Sequence, residues 1–238
     1  MPIHTAIMLS AGKGTRLLPL TLDRPKCLVP VGGKLIVDHH IDALAEIGVE
    51  RRVVVGGYRI DRLAAHIAAR GGDAELLFNP FWAVASSISS VWAARHLLEG
   101  DFAILNGDTV FDPAVLEDGF SRLRPGINLL VEPIAAPDDD DMLVALDGDA
   151  VAAVGKSLDP SVAGYRSLGV IAASGDSGAY RATLDRMIAG PDGIHAFHHG
   201  IIHALAQEDD GVHAVLIERG HWAEIDRPED IEGWDPPS

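Results

Sequence analysis

The chain has a single cysteine, Cys27. No internal disulfide can form, and a lone thiol fits a reducing compartment, the cytoplasm. Aromatic residues make up only 5 % of the sequence, and its apolar runs are far too short to cross a bilayer. The opening Met-Pro-Ile-His lacks the basic segment and apolar stretch of a signal peptide. Positive charge is scarce as well: 19 Lys and Arg stand against 35 Asp and Glu, a net charge of −16. That balance excludes nucleic acid and anionic membrane surfaces as expected partners. With no Ser/Gly linker and no internal repeat, one domain over residues 1–238 is expected, long enough for a substantial core.

What the chain has is a glycine-rich turn after an apolar run. Ala6-Ile7-Met8-Leu9 reads as a first strand and leads into Ser10-Ala11-Gly12-Lys13-Gly14-Thr15-Arg16, with Pro25-Lys26 following. Glycines at the carboxyl end of a strand let backbone N–H groups approach a phosphate closely. Arg16 and Lys26 supply cations beside it, which points to a nucleoside triphosphate. An acidic protein handling phosphates needs divalent metal, so Asp residues at strand ends become candidates. Two familiar loops do not fit. Gly155-Lys156-Ser157 ends like a P-loop, but Ala150 occupies the first glycine position. The dinucleotide fingerprint fails at Leu17, and Pro19 disrupts any helix begun at Gly14.

Periodicity predicts strands at 5–9, 52–55, 75–78 and 102–105, alternating with helices at 34–47, 60–70 and 88–98. After Asp108 it predicts a helix at 113–123, strands at 128–132, 142–146, 150–154 and 168–172, helices at 177–188 and 195–206, and a strand at 212–217. Asp147-Gly148-Asp149 is a hairpin signal. The expected fold is α/β: one doubly wound, mostly parallel but mixed, Rossmann-like sheet with ligands at the carboxyl edge. The acidic run 138–141 is expected to be a solvated loop.

Three blocks in order, Ala-Gly-x-Gly-Thr-Arg-Leu-x-Pro-Leu-Thr, Pro-Lys-x-Leu-Val-Pro-Val and Gly-Lys-Leu-Ile-Val-Asp, resemble the signature of the sugar-nucleotidyltransferase superfamily. Asn106-Gly107-Asp108, Gly155-Lys156, Gly169 and Trp222-x-Glu-Ile-Asp226 extend the resemblance over nearly the whole chain. Phe78-Asn79-Pro80-Phe81-Trp82 and Ser90-Val91-Trp92-Ala93 look most like phosphocholine-type cytidylyltransferases, and 151–158 is similar to inositol-phosphate cytidylyltransferases.

The resemblance implies transfer of a nucleotide, CTP favoured, to a small phosphorylated or phosphonate acceptor, with Mg²⁺ as cofactor. Sugar-1-phosphate nucleotidyl transfer with dTTP, GTP or UTP and a non-catalytic nucleotide-binding role are the alternatives. It divides the chain into a nucleotide-binding half, 1–112, and an acceptor-binding half, 113–238. A homodimer is left open.

Leu9, Ala11, Gly12, Lys13, Gly14 and Thr15 would hold the nucleotide. Arg16 would grip its β- and γ-phosphates, a task that suits a planar guanidinium. Lys26 would stabilise charge at the α-phosphate. Pro25 restricts Arg24 to extended geometry, so Lys26 is expected in a non-helical loop. Asp108 and Asp226 would ligate the metal, since hard oxygen ligands suit Mg²⁺; Asp226 ahead of Arg227-Pro228 also reads as a helix cap. Arg16, Lys26 and Asp108 form the expected catalytic set.

Lys156, Gly169, His198 and Glu224 are the acceptor-side candidates. Asn79, Ser86 and Ser87 are further nucleotide candidates, although Asn79 also reads as a turn residue. Phosphocholine-type relatives carry Asn-Asn where this chain has Ser86-Ser87, which tilts against choline. His195, His199 and His203 would share one face of a helix, either for metal or, more in keeping with the absence of nearby cysteine, packed against the sheet or lining the acceptor pocket. Trp82 and Trp92 are either core or a cage for a quaternary ammonium.

Overall fold

Alternate residues of the first strand face different cores, and this decides the layering. The computed structural model describes residues 3–134, 137–208, 211–218 and 220–234. Its first half runs β1 (Thr5–Ser10), β2 (Pro30–Val31), β3 (Lys34–Leu35), α1 (Ile36–Glu46), β4 (Arg51–Gly56), α2 (Ile60–Ala69), β5 (Glu75–Phe78), α3 (Ile88–Ala93), β6 (Phe102–Asn106) and β7 (Thr109–Phe111). Then come α4 (Pro113–Ser121), β8 (Gly126–Pro133), β9 (Leu143–Asp147), β10 (Ala150–Gly155), β11 (Tyr165–Ser174), α5 (Gly178–Ile188), α6 (His199–Leu205), β12 (His213–Leu216), β13 (Trp222–Glu224) and α7 (Pro228–Gly233).

Ala6 and Met8 join one core with Ile41, Leu44, Leu63 and Leu116, so α1, α2 and α4 cover that face. Ile7 joins the other with Ile88, Val91, Tyr180, Leu184 and Ile201, from α3, α5 and α6. Both faces of the central strands are therefore buried, as a doubly wound sheet requires. No helix among the described residues is long and apolar enough to cross a membrane.

The main sheet has nine strands in the order β5-β4-β1-β6-β11-β8-β12-β10-β9. The pairings β5–β4, β4–β1 and β1–β6 are parallel. Beyond β6 the sheet is mixed rather than mostly parallel, because β11 runs antiparallel to both its neighbours while β12 parallels β8. The chain winds outward through β4 and β5, then returns to β6 on the other side of β1. Strand order thus reverses between β1 and β6, and the crevice outside their carboxyl ends is the place where such sheets bind ligands.

The Asp147 turn closes the β9–β10 hairpin as predicted, with Gly148 at φ 61°. β9 also pairs with the start of β11 through Val144 and Leu143, which curls the far edge back and brings 137–142 over the crevice.

Several expectations are corrected. The predicted helix 34–47 begins only at Ile36, because Lys34 and Leu35 pair with Val31 and Pro30. The predicted helix 195–206 is two pieces, a 3₁₀ turn Gly193–His195 and α6, so His195 does not share a helix face with His199 and His203. Lys26 opens a 3₁₀ turn, Lys26–Leu28, rather than lying in a non-helical loop. The strand predicted at 168–172 extends to Tyr165–Ser174. Its pairing with β8 shifts register between Ser167 and Ile171, around Gly169 at φ 74°. Only glycine takes that conformation without strain, and a β-carbon there would stand 2.6 Å from the Asn106 amide nitrogen.

Candidate active site

A cleft of ≈ 280 Å³ opens at the carboxyl ends of β1 and β6, lined by Leu9, Asn106, Asp108, Glu224 and Asp226, among others. The turn after β6 carries Asp108, and Gly107 is obligatory there because a β-carbon would fall 2.3 Å from the Leu9 carbonyl oxygen. A short antiparallel ribbon delivers the other acids. β13 pairs with β7, setting Glu224 opposite Thr109, and the Ile225 N–H donates to the Asp108 carbonyl at 2.8 Å. Asp226 therefore arrives beside Asp108.

Asp226 is not a helix cap. Asp230 does that work, its carboxylate accepting the N–H groups of Asp226 and Arg227 at 2.8 and 2.6 Å. The Asp226 side chain is free to turn inward, where it accepts from Lys26 Nζ and, at 2.8 Å, from Arg16 Nη1. Lys26 Nζ also donates to Asp108 Oδ2 at 2.9 Å. Burial disfavours the ammonium, but Asp108 and Asp226 outweigh it and hold the Lys26 pKa above its ordinary value. Burial likewise opposes ionisation of Asp108, and Lys26 overcomes it, keeping that carboxylate below its usual range.

One oxygen of each of Asp108, Glu224 and Asp226 lies within 4.8 Å of the others. Glu224 is reached by solvent yet ringed by protein atoms; that enclosure, with Asp108 and Asp226 beside it, pushes its pKa up to about 8. Asp108 Oδ1 is buried and, among the described residues, has no hydrogen-bond partner. A crowded all-oxygen set with one unmet acceptor is a fitting cradle for a hard divalent cation.

The glycine turn closes over Lys26. Gly14 is left-handed at φ 70°, ψ 54°, and its carbonyl is tied down by the Thr21 hydroxyl at 2.7 Å. Among the described residues the N–H groups of Gly12, Lys13 and Gly14 donate to no protein acceptor, so they form an open cradle for an anion. Gly12, Lys13 and Thr15 are exposed, with Lys13 Nζ 5.5 Å from the Tyr58 ring centre. Ala11 is buried, its carbonyl accepting the Tyr58 N–H.

Arg16 and Lys156 meet on one carboxylate. Asp140 accepts from Arg16 and, at 2.6 Å, from Lys156 Nζ, while Asp141 pairs with Arg166 at 3.0 Å. The acidic run is thus no simple solvated loop; it reaches across the cleft and neutralises two cations. Sequence reading missed this, since a charge run carries no signal of what it faces.

Gly169 and His198 also line the cleft. So do Ser167 and His199, bonded to each other at 3.0 Å, which the sequence reading had not paired. His203 is elsewhere, its Nδ1 accepting the Val154 N–H at 3.4 Å. Asn79 is corrected from nucleotide candidate to turn residue: it is 1 % exposed, and its amide is engaged by Ser89, Ser90 and the Phe81 N–H. Ser87 borders the cleft, whereas the Ser86 carbonyl and N–H serve the loop at Ser89 and Ile194. The two tryptophans form no cage, for Trp82 packs on Tyr58 and Trp92 lies under Arg95.

The fold and sequence have known counterparts. The structure of the CTP:phosphocholine cytidylyltransferase from Streptococcus pneumoniae superposes with a TM-score of 0.81 at 22 % identity, covering 98 % of this chain and 97 % of that one. The CMP-5'-(3-aminopropyl)phosphonate synthase of Streptomyces rubellomurinus is 40 % identical over 116 residues, 47 % of this chain and 18 % of that protein. The UTP--glucose-1-phosphate uridylyltransferase of Haloferax volcanii is 34 % identical over 119 residues, 50 % of this chain and 49 % of that protein. These matches span about half or less of the curated relatives' lengths. Residues 6–227 match the model of the MobA-like NTP transferase domain. On that match, which takes in the glycine turn, Lys26, Asp108 and Asp226, the chain belongs to the family of MobA-like NTP transferase domains.

Proposed function

We propose that the chain transfers CMP from CTP to a small phosphorylated alcohol or polyol, or to a phosphonate, releasing pyrophosphate. The observation that carries this reading is the meeting of Lys26, Asp108 and Asp226 at the reversal point of the sheet, next to a turn with unpaired N–H groups. In this reading residues 1–112 hold the nucleotide and most of 113–238 hold the acceptor.

Asp108 and Asp226 would hold Mg²⁺, with Glu224 beside them, and the partnerless Asp108 Oδ1 supports that fit. When bound, the ion would supply positive charge to the phosphate oxygens at the reacting phosphorus. Lys26 would exchange a carboxylate for an α-phosphate oxygen and offset the charge that grows there as the acceptor oxygen enters in line. Arg16 would leave Asp140 for the β- and γ-phosphates, with the N–H groups of 12–14 holding the leaving pyrophosphate. Lys156, Gly169, His198 and Glu224 would border the acceptor.

No protein nucleophile is needed. The one thiol, Cys27, is buried, and burial pushes its pKa up to about 12, which leaves it unreactive. A CTP-fed reaction and a single reduced cysteine support a cytoplasmic setting.

The Haloferax relative favours a second reading, uridylyl transfer to a sugar 1-phosphate. Pyrophosphate release measured with CTP, UTP, GTP and dTTP, Mg²⁺ and a panel of phosphorylated alcohols, phosphonates and sugar phosphates separates the two. Fastest release with CTP supports the proposal, fastest release with UTP and a sugar phosphate replaces it, and no release with any pair sinks both in favour of a nucleotide-binding role without catalysis.

A further inference from the structure

One polar atom at the cleft has no role in that transfer. The His198 ring borders the cleft but is only 3 % exposed. Its Nδ1 lies 3.0 Å from the Ser87 hydroxyl oxygen, and the same oxygen accepts the His198 backbone N–H at 3.0 Å. Nε2 is buried and, among the described residues, has no hydrogen-bond partner.

The Ser87 contact is compatible with one tautomer in particular. Ser87 Oγ already accepts the His198 backbone N–H, and among the described residues its own proton has His198 Nδ1 as its protein acceptor, an arrangement in which Nδ1 receives a hydrogen bond and carries no proton of its own. A neutral imidazole then bears its single N–H at Nε2. Burial keeps the ring neutral at physiological pH by pushing its pKa down to about 4. A neighbouring serine–histidine pair uses the other ring nitrogen: the Ser167 hydroxyl oxygen accepts the Gly169 N–H at 3.0 Å and lies 3.0 Å from His199 Nε2.

A buried donor without a partner is rare unless something fills it. The cleft that the ring borders is where that partner would come from, and the Lys156 cation is the better match for a phosphoryl group. We propose that His198, oriented by Ser87, determines acceptor specificity: its Nε2–H selects an acceptor whose organic part presents an oxygen lone pair, a hydroxyl or a carboxylate, and disfavours one presenting a trimethylammonium group. A methylated ammonium offers no lone pair and would leave the donor unsatisfied. The inference rests on the reading of this cleft as the acceptor site.

Calorimetric titration of the full chain tests it, using glycerol 3-phosphate for the hydroxyl, phosphoglycolate for the carboxylate, and phosphocholine for the quaternary ammonium. Wild type should bind one of the first two at least tenfold more tightly than phosphocholine. His198→Phe should abolish that difference while CTP affinity stays within twofold, and His198→Gln, whose amide N–H reaches a similar point, should restore part of it. Ser87→Ala should erode the preference in the same direction. Long-range ¹H–¹⁵N spectra of the His198 ring should show the Nε2-protonated tautomer, which a merely space-filling ring need not adopt. An Nδ1-protonated ring, equal binding of all three compounds by wild type, or an unchanged preference in His198→Phe overturns the proposal. These readouts need no turnover. Should the chain release no pyrophosphate with any nucleotide, the transferase reading falls while the binding preference still decides the role of His198.

Discussion

Gly14 lies against the stem of Lys26 so closely that a β-carbon on the glycine would stand 2.8 Å from the lysine's own Cβ. The glycine turn and the Lys26 cation are therefore one packed unit, and neither can shift alone. Gly14→Ala should strain the left-handed backbone by about 1–2 kcal/mol, lowering Tm by about 2–8 °C. It should also displace Lys26, so turnover should fall further than the loss of stability explains. Equal activity per folded molecule in the variant would break this link.

Lys26→Ala leaves the Asp108 carboxylate without its cation, beside an Asp226 that keeps only Arg16. Turnover should drop by about 100- to 1,000-fold, the usual loss when a transition-state charge partner is removed. The protein should lose about 3 kcal/mol in the absence of divalent metal, since an uncompensated buried charge remains. Added Mg²⁺ should recover part of that loss in a thermal melt. A melt that ignores the metal would argue against the cradle.

Asp140 occupies both Arg16 and Lys156 with a carboxylate that resembles a phosphate oxygen in charge and reach. Asp140→Asn should free Lys156 and leave Arg16 held by Asp226 alone, lowering the KM for the nucleotide by about three- to tenfold, equivalent to ~1 kcal/mol. If KM rises instead, Asp140 contributes to binding rather than competing with it.

His40 is buried beneath β7, with Nε2 on the Thr109 carbonyl, and burial lowers its pKa to about 4. Between that value and the unfolded 6.5 the unfolded chain binds the extra proton. Stability is thus complete above pH 6.5 and falls as pH drops toward 4, by about 3 kcal/mol from this group. Replacing His40 with Phe should flatten the fall of Tm between pH 6.5 and 4. An unchanged slope would mean that other buried imidazoles dominate.

The part of the cleft drawn from the first half of the chain was legible in the sequence because it is local. The glycine turn and Asn106-Gly107-Asp108 each follow a strand whose apolar run is plain, Lys26 is marked by the proline before it, and parallel order follows from strand-helix alternation. In the rest of the cleft the residues were legible but the backbone was not: Lys156, Gly169, His198, Glu224 and Asp226 were read from the sequence and line the cleft, yet they are brought together by short pieces without periodicity. Thr109–Phe111 and Trp222–Glu224 are three residues each, too brief to show alternation, yet their pairing sets Glu224 and Asp226. The helix expected through 195–206 carried the right histidines on the wrong backbone. The break before His199 turns His198 onto Ser87, a contact no spacing rule contains. Asp140 lay hidden in a charge run whose partners are distant in sequence.

The β7–β13 ribbon has a consequence for biosynthesis. A chain threading out N-terminus first displays the glycine turn, Lys26 and Asp108 long before residues 222–226 emerge. Until they do, Lys26 is half-paired and the carboxylate trio is incomplete. The glycine turn is therefore made long before the carboxylate cluster is complete, and pairing of the ribbon is the event that completes it.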